Sequence, residues 1–143
     1  MPRKREIQKE KNKPPPVARL IGFHVEKALR GRAVLSMRVR KEHEHSNGTV
    51  HGGILCSLSD SAMGFAFMSI LSPHETGVTV EFKISFFEAV WVKDHLLAAA
   101  RILAHGKSLY FLECEIHNSQ GRLVAKAAST CKVVSSRKSR NES

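Results

Sequence analysis

The 143-residue chain is 42% hydrophobic and carries a formal net charge of +10. That length and apolar content suit one domain with a sizeable core and exclude a disordered chain. Much of the charge sits at the ends, +4 within residues 1–16 and +2 within residues 136–143, so the stretch between them is only mildly basic.

Residues 1–16, MPRKREIQKEKNKPPP, hold no apolar face and end in three prolines. They read as a solvated tail closing in a stiff, extended linker. No aromatic residue is interleaved among the cations for base stacking, which leaves nucleic acid little support as a partner. The basic start is not followed by the apolar run of a secretory signal. Residues 18–29 read as a short helical turn leading into a strand that Gly31 breaks. Ala33, Leu35, Met37 and Val39 then alternate with Arg32, Val34, Ser36, Arg38 and Arg40, the period of a half-buried strand. Residues 41–49 form a polar loop.

Residues 47–73, NGTVHGGILCSLSDSAMGFAFMSILSP, are the stretch around which the rest is organised. Asn47-Gly48 is a turn, Thr49 is the expected N-cap, and an apolar helix is expected to run to the residue before Pro73. Between Gly52 and Ser72 the only charge is Asp60, flanked one turn away by Cys56, Ser57, Met63 and Gly64. Its five serines, Asp60 and Gly64 mark a buried helix rather than a membrane span. A helix apolar on nearly every face is expected to be buried all round. A carboxylate there costs several kcal/mol to ionise unless paired, so Asp60 reads as functional.

Four strands follow. Val78, Val80, Phe82, Ile84 and Phe86 are expected on one face of the first, against Thr79, Glu81, Lys83 and Ser85. The second spans residues 94–104, the third 109–117 after a His105-Gly106-Lys107 turn, and the fourth 123–134 after the hairpin signal Asn118-Ser119-Gln120-Gly121. The order predicts an α+β domain over residues 17–135, one long helix laid across a curled, mainly antiparallel sheet of about six strands. Three cysteines, Cys56, Cys114 and Cys131, suggest reduced thiols in a cytoplasm-like compartment.

Gly48-Thr49-Val50-His51-Gly52-Gly53, followed by Leu58 and by Asp60 eight residues after Gly52, resembles the PaaI-like acyl-coenzyme A thioesterases of the hotdog fold. Residues 79–86, TVEFKISF, are similar to that family's strand after the helix. The resemblance covers residues 18–134. It implies hydrolysis of an acyl-coenzyme A thioester in a homodimer or a tetramer, with no cofactor beyond the coenzyme A of the substrate. It also implies that the Gly52 backbone N–H holds the thioester oxygen and that Asp60 is general base or nucleophile. Where the family often has an asparagine six residues before the motif histidine, this chain has His45, with Asn47 two residues later. Where some members have a serine, it has Glu88. Asn47, His51, Gly53, His45 and Glu88 are therefore candidates for positioning the substrate.

The chemistry stands on these residues as well. Thioester hydrolysis builds negative charge on a carbonyl oxygen, which the free N–H groups and partial positive charge of a helix start suit. Glycines at 52 and 53 let a substrate approach the backbone. A buried carboxylate is a stronger base than one in water. Coenzyme A carries three phosphates, so Lys107, Lys83 and Arg101 are candidates for its rim, with Lys107 preferred on its turn. His43, His45 and His51 read as a polar loop, and no metal is expected.

Gly52 and Asp60 lie about 12 Å apart along one helix at ~1.5 Å per residue. Both must approach one thioester group within about 3 Å. One rigid helix cannot do this, but two antiparallel helices related by a two-fold axis can, so each site is expected to be shared between two chains. A non-catalytic acyl-coenzyme A sensor on the same fold is the alternative. A hydratase is a weaker third, since its usual histidine–carboxylate motif is not found.

Overall fold

A computed structural model describes residues 13–135; of the tails expected at 1–16 and 136–143, residues 1–12 and 136–143 lie outside the described residues. The elements in order are α1 (Pro16–Ile21), β1 (Phe23–Leu29), β2 (Arg32–Arg38), a 3-10 turn (Lys41–His43), α2 (Gly52–Met68), β3 (Glu75–Phe86), β4 (His95–His105), β5 (Leu109–Asn118) and β6 (Leu123–Ser135). The third proline, expected in the linker, instead opens α1 after an extended Pro15. A first-turn N–H has no helical partner to lose, and proline's fixed φ is already helical. Gly22 closes α1 with φ +90°, a left-handed conformation that glycine adopts without strain.

The six strands pair antiparallel in the order β1-β2-β4-β5-β6-β3, so β1 and β3 are the edges. α2 lies across one face of this sheet, the hotdog arrangement. Leu55, Leu58, Ser59, Ala62, Met63, Ala66 and Phe67, spaced by three and four, are its buried residues. They join Leu35, Met37, Ala98, Leu112, Ile116 and Val124 of the strands in one core.

Two expectations for α2 change. The helix is buried on its sheet-facing stripe only, while Ile54, Ser57, Asp60, Ser61, Gly64, Phe65 and Met68 are half-buried on faces the sheet does not cover. It also ends at Met68, after which Ile70 and Leu71 donate to Phe67 and Met68 and tighten the last turn. No helix among the described residues is long and apolar enough to cross a membrane.

β3 departs from its expected alternation. Its pairing with β6 shifts register between Thr79 and Glu81. Such a bulge inserts one residue and reverses the sides that follow it. Gly77 and Thr79 therefore lie opposite Val133 and buried Cys131, while beyond the bulge Phe82 and Ile84 lie opposite Ser129 and Ala127. Val78 and Val80, expected on the same face as Phe82, are 48% and 54% exposed.

The Phe67 ring packs straight onto the backbone at Gly77, where an added methyl group would overlap it. Gly77→Ala is thus expected to overpack the α2–β3 contact by about 1–3 kcal/mol. In urea the unfolding midpoint should fall with the slope unchanged; an unmoved midpoint would show that the ring can swing aside.

Candidate active site

The start of α2 is built by the loop before it. His43 is buried, and its Nδ1 accepts the Arg40 N–H at 2.9 Å. Its Nε2 then carries the proton and donates to the Ile21 carbonyl, tying the loop to α1. His43 also accepts the His51 N–H on its own carbonyl. Thr49 was the expected N-cap, but the cap is His51, whose Nδ1 accepts the Gly53 N–H at 2.8 Å. The chain stays extended through Val50 because Thr49 bridges to Trp91 and Val50 donates to Val90. Helix geometry can begin only after those bonds are made.

That cap satisfies Gly53 and leaves the Gly52 N–H without an acceptor among the described residues. Gly52 opens onto a cleft of about 420 Å³, walled by Phe86, Phe87 and Glu88. A side chain on Gly52 would crowd the Phe86 ring, whose Cζ would lie 3.1 Å from its Cβ. Glu88 is thus near Gly52, with Arg122 Nη1 3.6 Å from its carboxylate. His45 and Asn47 are exposed and do not line this cleft. The His45 ring instead sits 5.4 Å from the His51 ring, with its Nδ1 3.0 Å from Ser46 Oγ.

Asp60 lies about two turns further along α2 and faces a different cleft. This one measures about 480 Å³ and is lined by Ser61, Gly64, Phe65, Met68, Val78 and Thr79, among others. Thr79 Oγ1 donates to Asp60 Oδ1 at 2.9 Å. Regular alternation places Thr79 on the strand's outer face, so sequence reasoning misses it as a site residue. The β3 bulge is what turns its hydroxyl toward Asp60, although the residue stays exposed, and no local sequence signal marks that bulge. Asp60 is half-buried rather than enclosed.

Cys56 stands one turn before Asp60. Burial pushes its thiol above the ordinary cysteine range, and the Asp60 charge adds to this. Cys131, 3.8 Å from Thr79 Oγ1, is likewise raised by burial. Neither is primed as a thiolate nucleophile. All three cysteines are free.

The other expected residues are dispersed. Arg101 clasps Glu113 through Nε at 2.8 Å and Nη2 at 2.7 Å, and this guanidinium holds the Glu113 carboxyl below its usual range. Lys83 is exposed and lines a separate groove with Ser85 and Lys126. Lys107 is exposed on the turn between β4 and β5. One chain therefore presents a backbone N–H unpaired among the described residues and a carboxylate in two separate clefts.

Comparison with known proteins gives a consistent picture. The sequence profile of the thioesterase superfamily matches residues 47–125. Acyl-coenzyme A thioesterase 13 of Homo sapiens is 27% identical over 128 residues, covering 88% of this chain and 91% of that protein. A hypothetical thioesterase protein from Streptococcus pneumoniae TIGR4, in a crystal structure with coenzyme A, superposes with a TM-score of 0.74. It is 28% identical, with 80% of this chain and 88% of that one covered. The PaaI protein from the phenylacetic acid degradation operon of E. coli superposes with a TM-score of 0.82 over 92% of this chain and 96% of its own. At 24% identity that likeness speaks for the fold alone.

Proposed function

The chain belongs to the thioesterase superfamily and is a PaaI-like hotdog thioesterase, and from that premise we propose that it hydrolyses acyl-coenzyme A esters at sites assembled from two copies of the chain. The substrate class is supported by the name of the human relative and by the coenzyme A in the Streptococcus structure. The observation that carries the reading is the Asp60 carboxylate, fixed by Thr79 in one cleft, beside a Gly52 N–H without a partner in another.

In this reading Gly52 of one chain donates to the thioester oxygen as charge develops there, aided by the positive end of α2. Asp60 of the other chain takes a proton from the water that attacks the carbonyl carbon, or attacks that carbon itself to form an acyl–aspartate anhydride that water then cleaves to the free acid, restoring the carboxylate. In either route the C–S bond breaks, and coenzyme A leaves as a thiolate that takes up a proton. The half-buried face of α2 and the long edge strand β3, with Val78 and Val80 exposed, suit the contact between copies. Lys107, free of the carboxylate clasp that occupies Arg101, is the phosphate-rim cation this reading keeps.

Free thiol release from a panel of acyl-coenzyme A esters tests the activity. Release should follow enzyme concentration; binding without release would identify a sensor instead. Thr79 is a positioning residue, since its hydroxyl occupies Oδ1 and leaves Oδ2 for the reaction. Losing a hydrogen bond to a charged group is worth about tenfold in rate or more. Thr79→Ala should therefore lower kcat about tenfold with little change in KM, and Thr79→Ser should restore it. Equal rates for Ala and Ser would remove Thr79 from the mechanism.

A further inference from the structure

A cleft of about 680 Å³ lies away from both Gly52 and Asp60, between α1 and the ends of β1, β2 and β4. Three arginines, Arg19, Arg38 and Arg40, line it together with His24 and His95, and no carboxylate does so among the described residues. Its remaining lining includes apolar Ala18, Phe23 and Met37. From this we propose that the cleft binds a phosphate-bearing small molecule of nucleotide size.

The arrangement is one that folding by itself does not favour. Arg38 stands directly opposite His95 on β2 and β4, so the register sets no carboxylate against this guanidinium. On β4 and β6, by contrast, Arg101 and Lys126 both reach Glu113, and Lys126 also reaches Glu115. At the α1 end only Arg40 has a carboxylate within ion-pair reach among the described residues, and that one at 4.0 Å. Glu26 accepts the Ser36 hydroxyl at 2.6 Å, and exposed Glu42 lies 4.0 Å from Arg40 Nε.

Arg40 is also held in place. Its Nη2 donates to the Leu20 carbonyl at 3.1 Å. Its guanidinium lies on Gly22, where a Cβ would come within 2.9 Å of Nη2. The glycine that ends α1 thus clears the space this guanidinium occupies. A fixed guanidinium beside two others suits the several oxygens of a phosphate, which Arg binds in bidentate fashion. The volume falls in the range of small-ligand sites, and the apolar lining suits the non-phosphate body of a nucleotide. Two sources share this chemistry, namely the nucleotide end of an acyl-coenzyme A substrate and a free nucleotide. Phosphate binding here does not depend on the hydrolase reading.

The test is calorimetry of the full chain with adenosine 3′,5′-bisphosphate and with inorganic pyrophosphate at low and moderate salt. Both should bind, more weakly as salt rises. The double variant Arg19→Gln/Arg38→Gln leaves Arg40 and its structural contact intact. It should bind about tenfold more weakly or worse, while Lys27→Gln on the neighbouring surface of β1 should bind as the parent does. Should the double variant lose its fold by circular dichroism, Arg19→Gln alone, at an exposed helix end, takes its place with a smaller loss in the same direction. Absence of binding to the parent chain at low salt overturns the proposal, as does unchanged binding in the folded variant. The sources separate in turnover. If the cleft holds the substrate's own nucleotide, the variant raises KM for an acyl-coenzyme A ester but not for the matching acyl-pantetheine. If the ligand is separate, neither KM moves although bisphosphate binding is lost.

Discussion

Replacing Asp60 with asparagine is expected to lower kcat for an acyl-coenzyme A ester by about 10²-fold or more, the scale of losing a general base. Asparagine keeps the volume of the side chain, and its carbonyl oxygen can still accept the Thr79 hydroxyl that now reaches Oδ1 at 2.9 Å. The half-buried position on α2 adds no new unpaired group in the core. The melting temperature should therefore stay close to that of the parent chain, and the loss should appear in turnover rather than in folding. Near-normal turnover in a folded Asp60→Asn protein would remove the carboxylate from the chemistry. Cys56 would not be a ready substitute, because burial and the Asp60 charge both disfavour its thiolate.

The second large effect is complementation between two defective chains. Gly52→Pro removes the N–H that has no acceptor among the described residues, at a first helical position that proline tolerates. The new ring must share space with Phe86, whose Cζ would lie 3.1 Å from a Cβ at this position, but Phe86 is half exposed and can give. Losing one oxyanion donor costs about 10²–10³ in kcat. Each mutant alone should then be nearly inactive. Mixed with Asp60→Asn after dissociation and reassembly, random pairing makes about half of the dimers mixed, each with one site that has both groups intact. Activity should return to about a quarter of the parent value. Mass spectrometry can confirm that mixed dimers formed; if they did and no activity returned, Gly52 and Asp60 do not meet across two chains.

Much of this protein is legible in its sequence. Local periodicity locates all six strands and the long helix to within a few residues. The polar loop, His-Gly-Gly and the lone aspartate mark where the chemistry is expected to sit. These features are readable because they depend on neighbours two to eight residues apart. The separation of Gly52 and Asp60 along α2 is equally local, since a helix fixes its own rise per residue. The expectation of a shared site needs nothing beyond that rise.

The parts that are not legible depend on distant residues. Thr79 reaches Asp60 only because β3 bulges against β6, which reverses the side of every residue before the bulge. Thr49 gives up the cap to His51 because Trp91 and Val90 hold the preceding residues extended. Arg101 and Arg38 look alike in sequence, yet register places Glu113 against the first and His95 against the second. Sequence by itself therefore determined the elements, the helix and the spacing of its two candidate groups, since these follow from the geometry of a continuous chain. Tertiary structure decided which face each strand residue takes, which cations are neutralised and which side of α2 stays uncovered. Those outcomes are set by hydrogen-bond register and packing between segments that the chain order leaves far apart.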